Sequence, residues 1–273
     1  MKLLIFLLLT ISSVWAKPIV LVSYYDAFGR APFNSSDVVA KAVARKLNSP
    51  TSPFEVRLCA LNTIFDRAYA QSEDCLKNLP EEPVMFLGLG ESTCDLKVET
   101  MMRNNDRTYG SDNAGNNRMN TPVVAGAPLV IGMRYPLPQM YCGLTQSEKN
   151  AMVISNNAGS FVCNNTAYQM THYHPEIQFG FIHVPSNNCR DINQKTDMAI
   201  TVISKMIIQA VSYLGNDVEN AGLPHTNNEN RLPTKKDELK KLRKEYDKQD
   251  ACLADFLKRM KGSDEKTGIF WAN

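Results

Sequence analysis

Residues 83–90, "PVMFLGLG", form a near-continuous apolar run that stops at a glycine turn. A run this short and this uniformly apolar suits a strand buried on both faces, not one with a wet side. "KPIVLVSYY" (17–25), "FEVRLCAL" (54–61), "AMVISNN" (151–157) and "IQFGFIHVP" (177–185) also read as strands, and "CDLKVETMM" (94–102) alternates like a further one. Helical patterns separate them: "SSDVVAKAVARKL" (35–47) with Ser or Asp as N-cap, a helix from Cys163, and the apolar-rich "TDMAITVISKMIIQAVSYL" (196–214). The Asn/Gly/Asp-rich stretch 103–120 reads as loop. Strands alternating with helices imply an α/β fold, a mostly parallel twisted sheet sandwiched between helices. In such sheets functional groups gather on loops at the carboxyl ends of the strands.

The N-terminus sets the expected compartment. "MKLLIFLLLTISSVWA" (1–16) has one basic residue, an unbroken apolar stretch from Leu3 to Leu9, and a small-residue end. It reads as a cleavable signal peptide, too short and wrongly flanked for a membrane anchor. No later segment approaches the apolar run needed for a membrane span, so the mature chain from Lys17 is expected to be soluble, and periplasmic or secreted. The 273 residues carry a formal net charge of +2, which gives no reason to expect a nucleic acid partner. The sign is uneven, because residues 231–261 hold eleven Lys/Arg against six Asp/Glu.

An oxidising compartment pairs thiols, and seven cysteines leave at least one over. Six of them allow fifteen connectivities; the residue taken as free is Cys163, in "NNAGSFVCNN" (156–165). A sulfur at the start of a helix lies at its positive end, where a thiolate is favoured and backbone N–H groups can hold an oxyanion. Such a nucleophile needs a base. His183, in the apolar strand "FGFIHVP", stands where a strand exit faces the loops, and Glu99 in "LKVET" lies between apolar neighbours as a carboxylate to orient it. Satisfied core residues plus a disulfide cysteine are the plainer alternative from spacing alone.

Four blocks resemble pyroglutamyl peptidase type I, or pyrrolidone carboxyl peptidase, a family of cysteine exopeptidases. "VLVSYYDAFGRAPFNSS" (20–36) resembles V-L-V-T-G-F-x-P-F-G-G-x-x-x-N-P, and "GLGESTCDLKVETMMRN" (88–104) resembles G-x-x-x-G-R-x-x-I-x-x-E-R-x-A-x-N. "SDNAGNN" (111–117) is similar to P-D-N-E-G-N-Q. "SNNAGSFVCNNTAYQMTHY" (155–173) with "GFIHVP" (180–185) is similar to S-x-x-A-G-T-F-V-C-N-x-x-x-Y-x-x-x-H and G-F-I-H-V-P. The resemblance runs from about 19 to 214 and implies a single α/β domain over 17–215. It implies a nucleophile at Cys163, a histidine at His183 and an acid at Glu99. It also implies removal of an N-terminal pyroglutamyl residue from peptide substrates, with no metal or cofactor.

By the same resemblance, Tyr25, Phe28 and Phe161 would sandwich the lactam, Asn34 would sit in the pocket-forming loop, and Leu89 would fall at a pocket position. Departures from the motifs cluster near the pocket. Thr93 stands for Arg, Leu89 for the Gln of some members, Ala114 for Glu, and Tyr24, Ala27 and Arg30 for Gly, Pro and Gly. They leave open a relative with altered specificity, or a secreted binding protein that recognises capped peptide N-termini without turnover. A third reading is a metal-dependent hydrolase using His172 and His174, although no acidic or cysteine set completes a zinc site nearby. "GLGEST" is only a partial dinucleotide fingerprint. "NSS" (34–36) and "NNT" (164–166) are formal glycosylation acceptors against the proposed site and are expected to be unused.

Residues 216–273 form a linker and a charged extension, with Leu239, Leu242, Tyr246, Leu253, Phe256 and Met260 at helical spacing over 234–261. It can pack this stripe on the domain, mediate assembly into a homo-oligomer, or offer a cationic face to an anionic surface. Cys252 is available to tie it down by a disulfide.

Overall fold

A computed structural model describes residues 17–108, 110–221 and 251–267. The first half of the chain forms β1 (Ile19–Tyr25), α1 (Ser35–Leu47), β2 (Glu55–Leu61), α2 (Arg67–Lys77), β3 (Met85–Glu91) and β4 (Leu96–Glu99). Short strands follow: β5 (Met101–Arg103), β6 (Asp106–Arg107), β7 (Met119–Thr121) and β8 (Val130–Gly132). Then come α3 (Leu137–Cys142), α4 (Gln146–Asn150), β9 (Met152–Ser155), α5 (Val162–Tyr173), β10 (Phe179–Val184), α6 (Ile192–Ala221) and α7 (Ala251–Thr267).

The central sheet has the order β2-β1-β3-β10-β4-β9. Every pairing in it is parallel except β10 with β4. Strand β3 is buried along its length up to Gly90, as its unbroken apolar run requires of a strand covered on both sides. The chain leaves β1 through α1 to reach β2 on one side, then returns through α2 to reach β3 on the other. Right-handed crossovers in opposite directions put α1 and α2 on opposite faces. Helix α6 packs with α1, and α5 packs with α2.

Local chemistry explains several boundaries. Asn34 caps α1 by accepting from the Ser36 N–H, and α1 buries Val39, Ala40, Val43, Ala44 and Leu47, a stripe at helical spacing. Thr145 and Glu148 form a reciprocal capping box on α4. Helix α2 has no side-chain cap; it buries Ala68 and Ser72 fully, packs Tyr69, Cys75 and Leu76 partly against the core, and is fastened to β2 by the Cys59–Cys75 disulfide. The 94–102 segment is two strands, because β4 belongs to the main sheet while β5 leaves to pair with β8. The 103–120 loop contains the small β6–β7 ribbon.

Helix α6 corrects one expectation. Over Ile192–Gly215 it is long and apolar enough to cross a membrane by length and composition. Here its apolar side, including Val202, Ile203, Met206, Ile207 and Ala210, is buried in the domain, as in a core helix. Lys205 on the same helix pairs with Glu148 at 2.6 Å.

Of the extension's apolar stripe, Leu239, Leu242 and Tyr246 lie outside the described residues, as does the signal-like segment 1–16. Phe256 and Met260 are buried, and α7 packs against β9 and α3. The Cys142–Cys252 disulfide joins α7 to α3. The Tyr141 hydroxyl donates to Asp255, and Arg259 donates to the Lys149 carbonyl at 2.9 Å and to Asn150 Oδ1 at 3.0 Å. Packing on the domain is therefore what the described part of the tail does.

Candidate active site

Three neighbouring strands end level with one another. Ser23 of β1 and Phe181 of β10 both face Gly88 of β3, and His183 faces Gly90. Two residues on from Ser23, side-chain alternation puts Tyr25 in the same row as Gly90 and His183, on one face of the sheet. Helix α5 brings Cys163 onto that face: a Cβ added at Gly90 would lie 2.7 Å from the Cys163 sulfur and 2.9 Å from the Phe181 ring. The sulfur thus occupies the space of the side chain that Gly90 lacks.

Strand β4 supplies the carboxylate. Its antiparallel pairing sets Glu99 opposite Phe181, so its side chain shares the face of Phe181 and His183. His183 Nδ1 hydrogen-bonds Glu99 Oε1 at 2.9 Å, and Cys163 is the other side chain that acts on the ring. Both His183 and Glu99 are buried. Burial alone would push the imidazole toward its neutral form, but the Cys163 sulfur and the Glu99 carboxylate outweigh it and raise the His183 pKa to about 9. The three residues named from sequence thus meet at one place, with His183 between Cys163 and Glu99. The remaining cysteines pair as Cys59–Cys75, Cys94–Cys189 and Cys142–Cys252, and Cys163 is the free thiol.

Cys163 is the second residue of α5, and Phe161 at the N-cap provides no side-chain cap. The first-turn N–H groups of a helix have no intrahelical acceptor, so they are available beside the sulfur for a developing oxyanion.

Phe28, 45% exposed, meets Phe161 edge to face with ring centroids 5.2 Å apart. Phe161 in turn meets Phe65 at 5.3 Å, and the Arg118 guanidinium lies over the far ring. Two residues from Cys163 there is therefore an open aromatic pair with a packed backing. Its loop is held by groups that motif reading passed over. The Asp26 carboxylate accepts from Asn62, the Thr63 N–H and the Thr63 hydroxyl at 2.7–2.8 Å. Asn113 accepts from the Gly29 N–H at 3.0 Å and donates to the Ala27 carbonyl at 2.8 Å. The 20–36 and 111–117 blocks thus meet in space. Glu91, closing β3, accepts from the Ser35 N–H at 2.6 Å and the Ser186 hydroxyl at 2.8 Å. Cys94–Cys189 bridges the loops that follow β3 and β10. The usable signal was an acid standing at the exit of a strand, Asp26 directly after β1 and Glu91 at the end of β3.

Other expected pocket residues lie elsewhere. Leu89 is fully buried, and the alternation that points Gly88 and Gly90 at α5 turns Leu89 to the opposite face, so it does not line the pocket. Tyr24 is likewise turned toward α1, where Lys41 lies over its ring. Tyr25 is only 1% exposed and forms part of the floor instead of an open stacking wall. Asn34 spends its side chain on Ser36 and the Asp26 carbonyl, shaping the loop from within. Asn34 and Asn164, the two formal glycan acceptors, are buried and hydrogen-bonded. His174 is engaged by Glu73 and Glu176 and His172 stacks on Tyr168; no group of three metal-ligating side chains occurs among the described residues.

A family profile described as pyroglutamyl peptidase matches residues 19–216. The chain belongs to the pyroglutamyl peptidase family. Among curated relatives, the pyrrolidone-carboxylate peptidase of Alkaliphilus oremlandii is 29% identical over 171 residues, 61% of this chain and 78% of the relative. That of Bacillus thuringiensis is 26% identical over 198 residues, 70% of this chain and 90% of the relative. The fold is that of the solved pyroglutamyl peptidase I from Bacillus amyloliquefaciens, with a TM-score of 0.61 at 21% identity over 72% of this chain and 98% of that one. Pyrrolidone carboxyl peptidase from Thermococcus litoralis gives 0.61 at 22% identity over 73% and 96%. The α/β architecture read from the strand pattern is the family's own.

Proposed function

We propose that this pyroglutamyl peptidase family member is an exported cysteine exopeptidase that removes an N-terminal pyroglutamyl residue from peptides. The observation that carries the reading is the line from Cys163 through His183 to buried Glu99 at the start of α5, beside the Phe28–Phe161 pair. Export rests on the signal-like residues 1–16 and agrees with the disulfide pairing of six cysteines.

His183 takes the thiol proton, and the thiolate attacks the carbonyl that joins the pyroglutamyl ring to the next residue. The tetrahedral oxyanion forms beside the free N–H groups of the first turn of α5. His183 then gives its proton to the leaving amine, which departs as the shortened peptide and leaves a thioester on Cys163. Water, losing a proton to His183, attacks the thioester and releases pyroglutamate. Glu99 fixes the ring through Nδ1 and stabilises the imidazolium in both halves. The aromatic pair suits a flat neutral lactam, whereas a charged free amine would lose hydration on entering so apolar a place.

The test is release of a fluorescent amine from a pyroglutamyl amide by the chain from Lys17, beside Cys163→Ala and with a chelator present. Turnover that survives chelation and disappears in the variant supports the reading. A folded chain that binds the amide without turnover would make it a binding protein, and chelator-sensitive turnover in Cys163→Ala would overturn the mechanism.

A further inference from the structure

The row across the Cys163 face continues past His183. On β4, Lys97 stands directly opposite His183 in the antiparallel ladder, so its side chain leaves the sheet on the same face as His183 and Glu99. On β9, Val153 stands opposite Lys97 and is 43% exposed, which leaves this end of the face open to solvent. Lys97 is half-buried, and it makes no hydrogen bond or ion pair with any of the described residues. Glu99, two residues on, is engaged by His183 instead. A partly desolvated ammonium with no acid against it is unanswered positive charge. Its place relative to the sulfur follows from the strand order. Phe28 follows β1 and Phe65 follows β2, so the aromatic wall lies on the β1–β2 side of the sulfur, which sits over Gly90 of β3. His183 lies on the other side, on β10, and Lys97 is one strand beyond it. Neighbouring strands are about 4.8 Å apart, a gap that the flexible stem of a lysine spans.

We propose that Lys97 is a specificity-determining residue on the leaving side of the site: its ammonium receives a carboxylate carried by the residue that follows the cleaved bond. With the pyroglutamyl ring at the aromatic wall and its carbonyl at the sulfur, the departing amine lies at His183, which protonates it. The rest of the leaving peptide then runs from His183 toward β4. The carboxylate is an acidic side chain in a longer peptide, or the free terminus of a dipeptide. An ammonium is a compact charge on a flexible stem, so it can meet either one without a fixed geometry. The pair forms at the open end of the face, where water and salt screen it, so its effect is modest and falls with ionic strength.

The inference rests on the peptidase reading for the direction in which the substrate lies. Two pairs of peptides test it: pyroglutamyl-glutamate amide beside pyroglutamyl-glutamine amide for the side chain, and pyroglutamyl-alanine beside its amide for the terminus. In the wild type the carboxylate member of at least one pair should have a KM lower by about fivefold with kcat within about twofold, an advantage that shrinks as salt is raised. Which pair responds names the source of the carboxylate. Each variant is read as the ratio within a pair. Lys97→Met should remove the preference, Lys97→Glu should reverse it, and Lys97→Arg should keep it. A preference absent from the wild type, or persisting in Lys97→Met, overturns the proposal. A pH–rate limb that moves alike for every peptide in Lys97→Met, with the ratios intact, would assign the lysine to His183 and Glu99 instead. If the wild type cleaves none of the peptides, the peptidase reading falls. The same ratio is then read as protection of Cys163 from iodoacetamide by each peptide, which needs no turnover.

Discussion

Gly90 faces His183 across the β3–β10 ladder, and the Cys163 sulfur lies 2.7 Å from where a Gly90 side chain would begin. The absence of one methyl group therefore allows helix α5 to seat its sulfur against the histidine. Gly90→Ala must displace either the sulfur or the Phe181 ring, both held by packed elements. A misplacement near 1 Å at a reacting centre can cost about 10²-fold. We expect kcat/KM to fall by about that factor, with a stability loss of about 1–3 kcal/mol from overpacking. Steady-state kinetics beside a urea titration would show this; full activity in Gly90→Ala would refute the assigned position of the sulfur.

The pH response follows from His183. Its folded pKa, about 9, lies above the 6.5 of an unconstrained histidine. For a raised group the stabilisation is complete below the unfolded value and is lost as pH rises through the folded one. Stability contributed by this pair should thus hold at pH 6 and decline toward pH 9–10. Activity should fall over the same upper limb, because deprotonated His183 cannot protonate the leaving amine. Glu99→Gln removes one of the two groups that raise the pKa, so the alkaline limb should shift to lower pH while kcat drops about 10²-fold or more. pH–rate profiles of both proteins check it, and an unmoved limb in Glu99→Gln would count against the pairing.

Phe28 is exposed and contacts Phe161 by its edge, so its loss should leave the fold intact. Phe28→Ala should raise KM for a pyroglutamyl amide about tenfold with a smaller change in kcat, the worth of one aromatic contact plus its buried area. The alkylation rate of Cys163 should not change. Equal loss in both measurements would mean that Phe28 supports the triad and not the substrate.

Cys142–Cys252 spans 110 residues and anchors α7, whose Phe256 is buried against the domain. Closing so long a loop restricts the unfolded chain. Replacing both cysteines with serine should lower stability by about 2–4 kcal/mol. Because α7 packs on α3 and β9 and none of its residues joins the Cys163–His183–Glu99 line, kcat/KM in the folded state should be unchanged. A urea midpoint shift without a kinetic change is the expected pair of results.

The strands and helices with strong local patterns were legible from the chain alone: β1, β2, β3, β9, β10, α1 and α6 all show apolar runs or stripes that few other conformations can bury. Cys163, His183 and Glu99 were legible too, as residue types in recognisable blocks. Helix α2 escaped because its apolar side, Ala68, Tyr69, Cys75 and Leu76, is interrupted by Ser72 and lies among polar residues, and a disulfide helps to hold it. Leu89 and Tyr25 were read as lining the pocket because adjacency in a motif does not say which way a side chain points or how deep it lies. In a strand that direction reverses at every residue, so only register across the sheet decides it. The same holds for the site. Glu99 and His183 are 84 residues apart, and they meet because β4 enters the sheet antiparallel to β10, a non-local pairing that local periodicity does not encode.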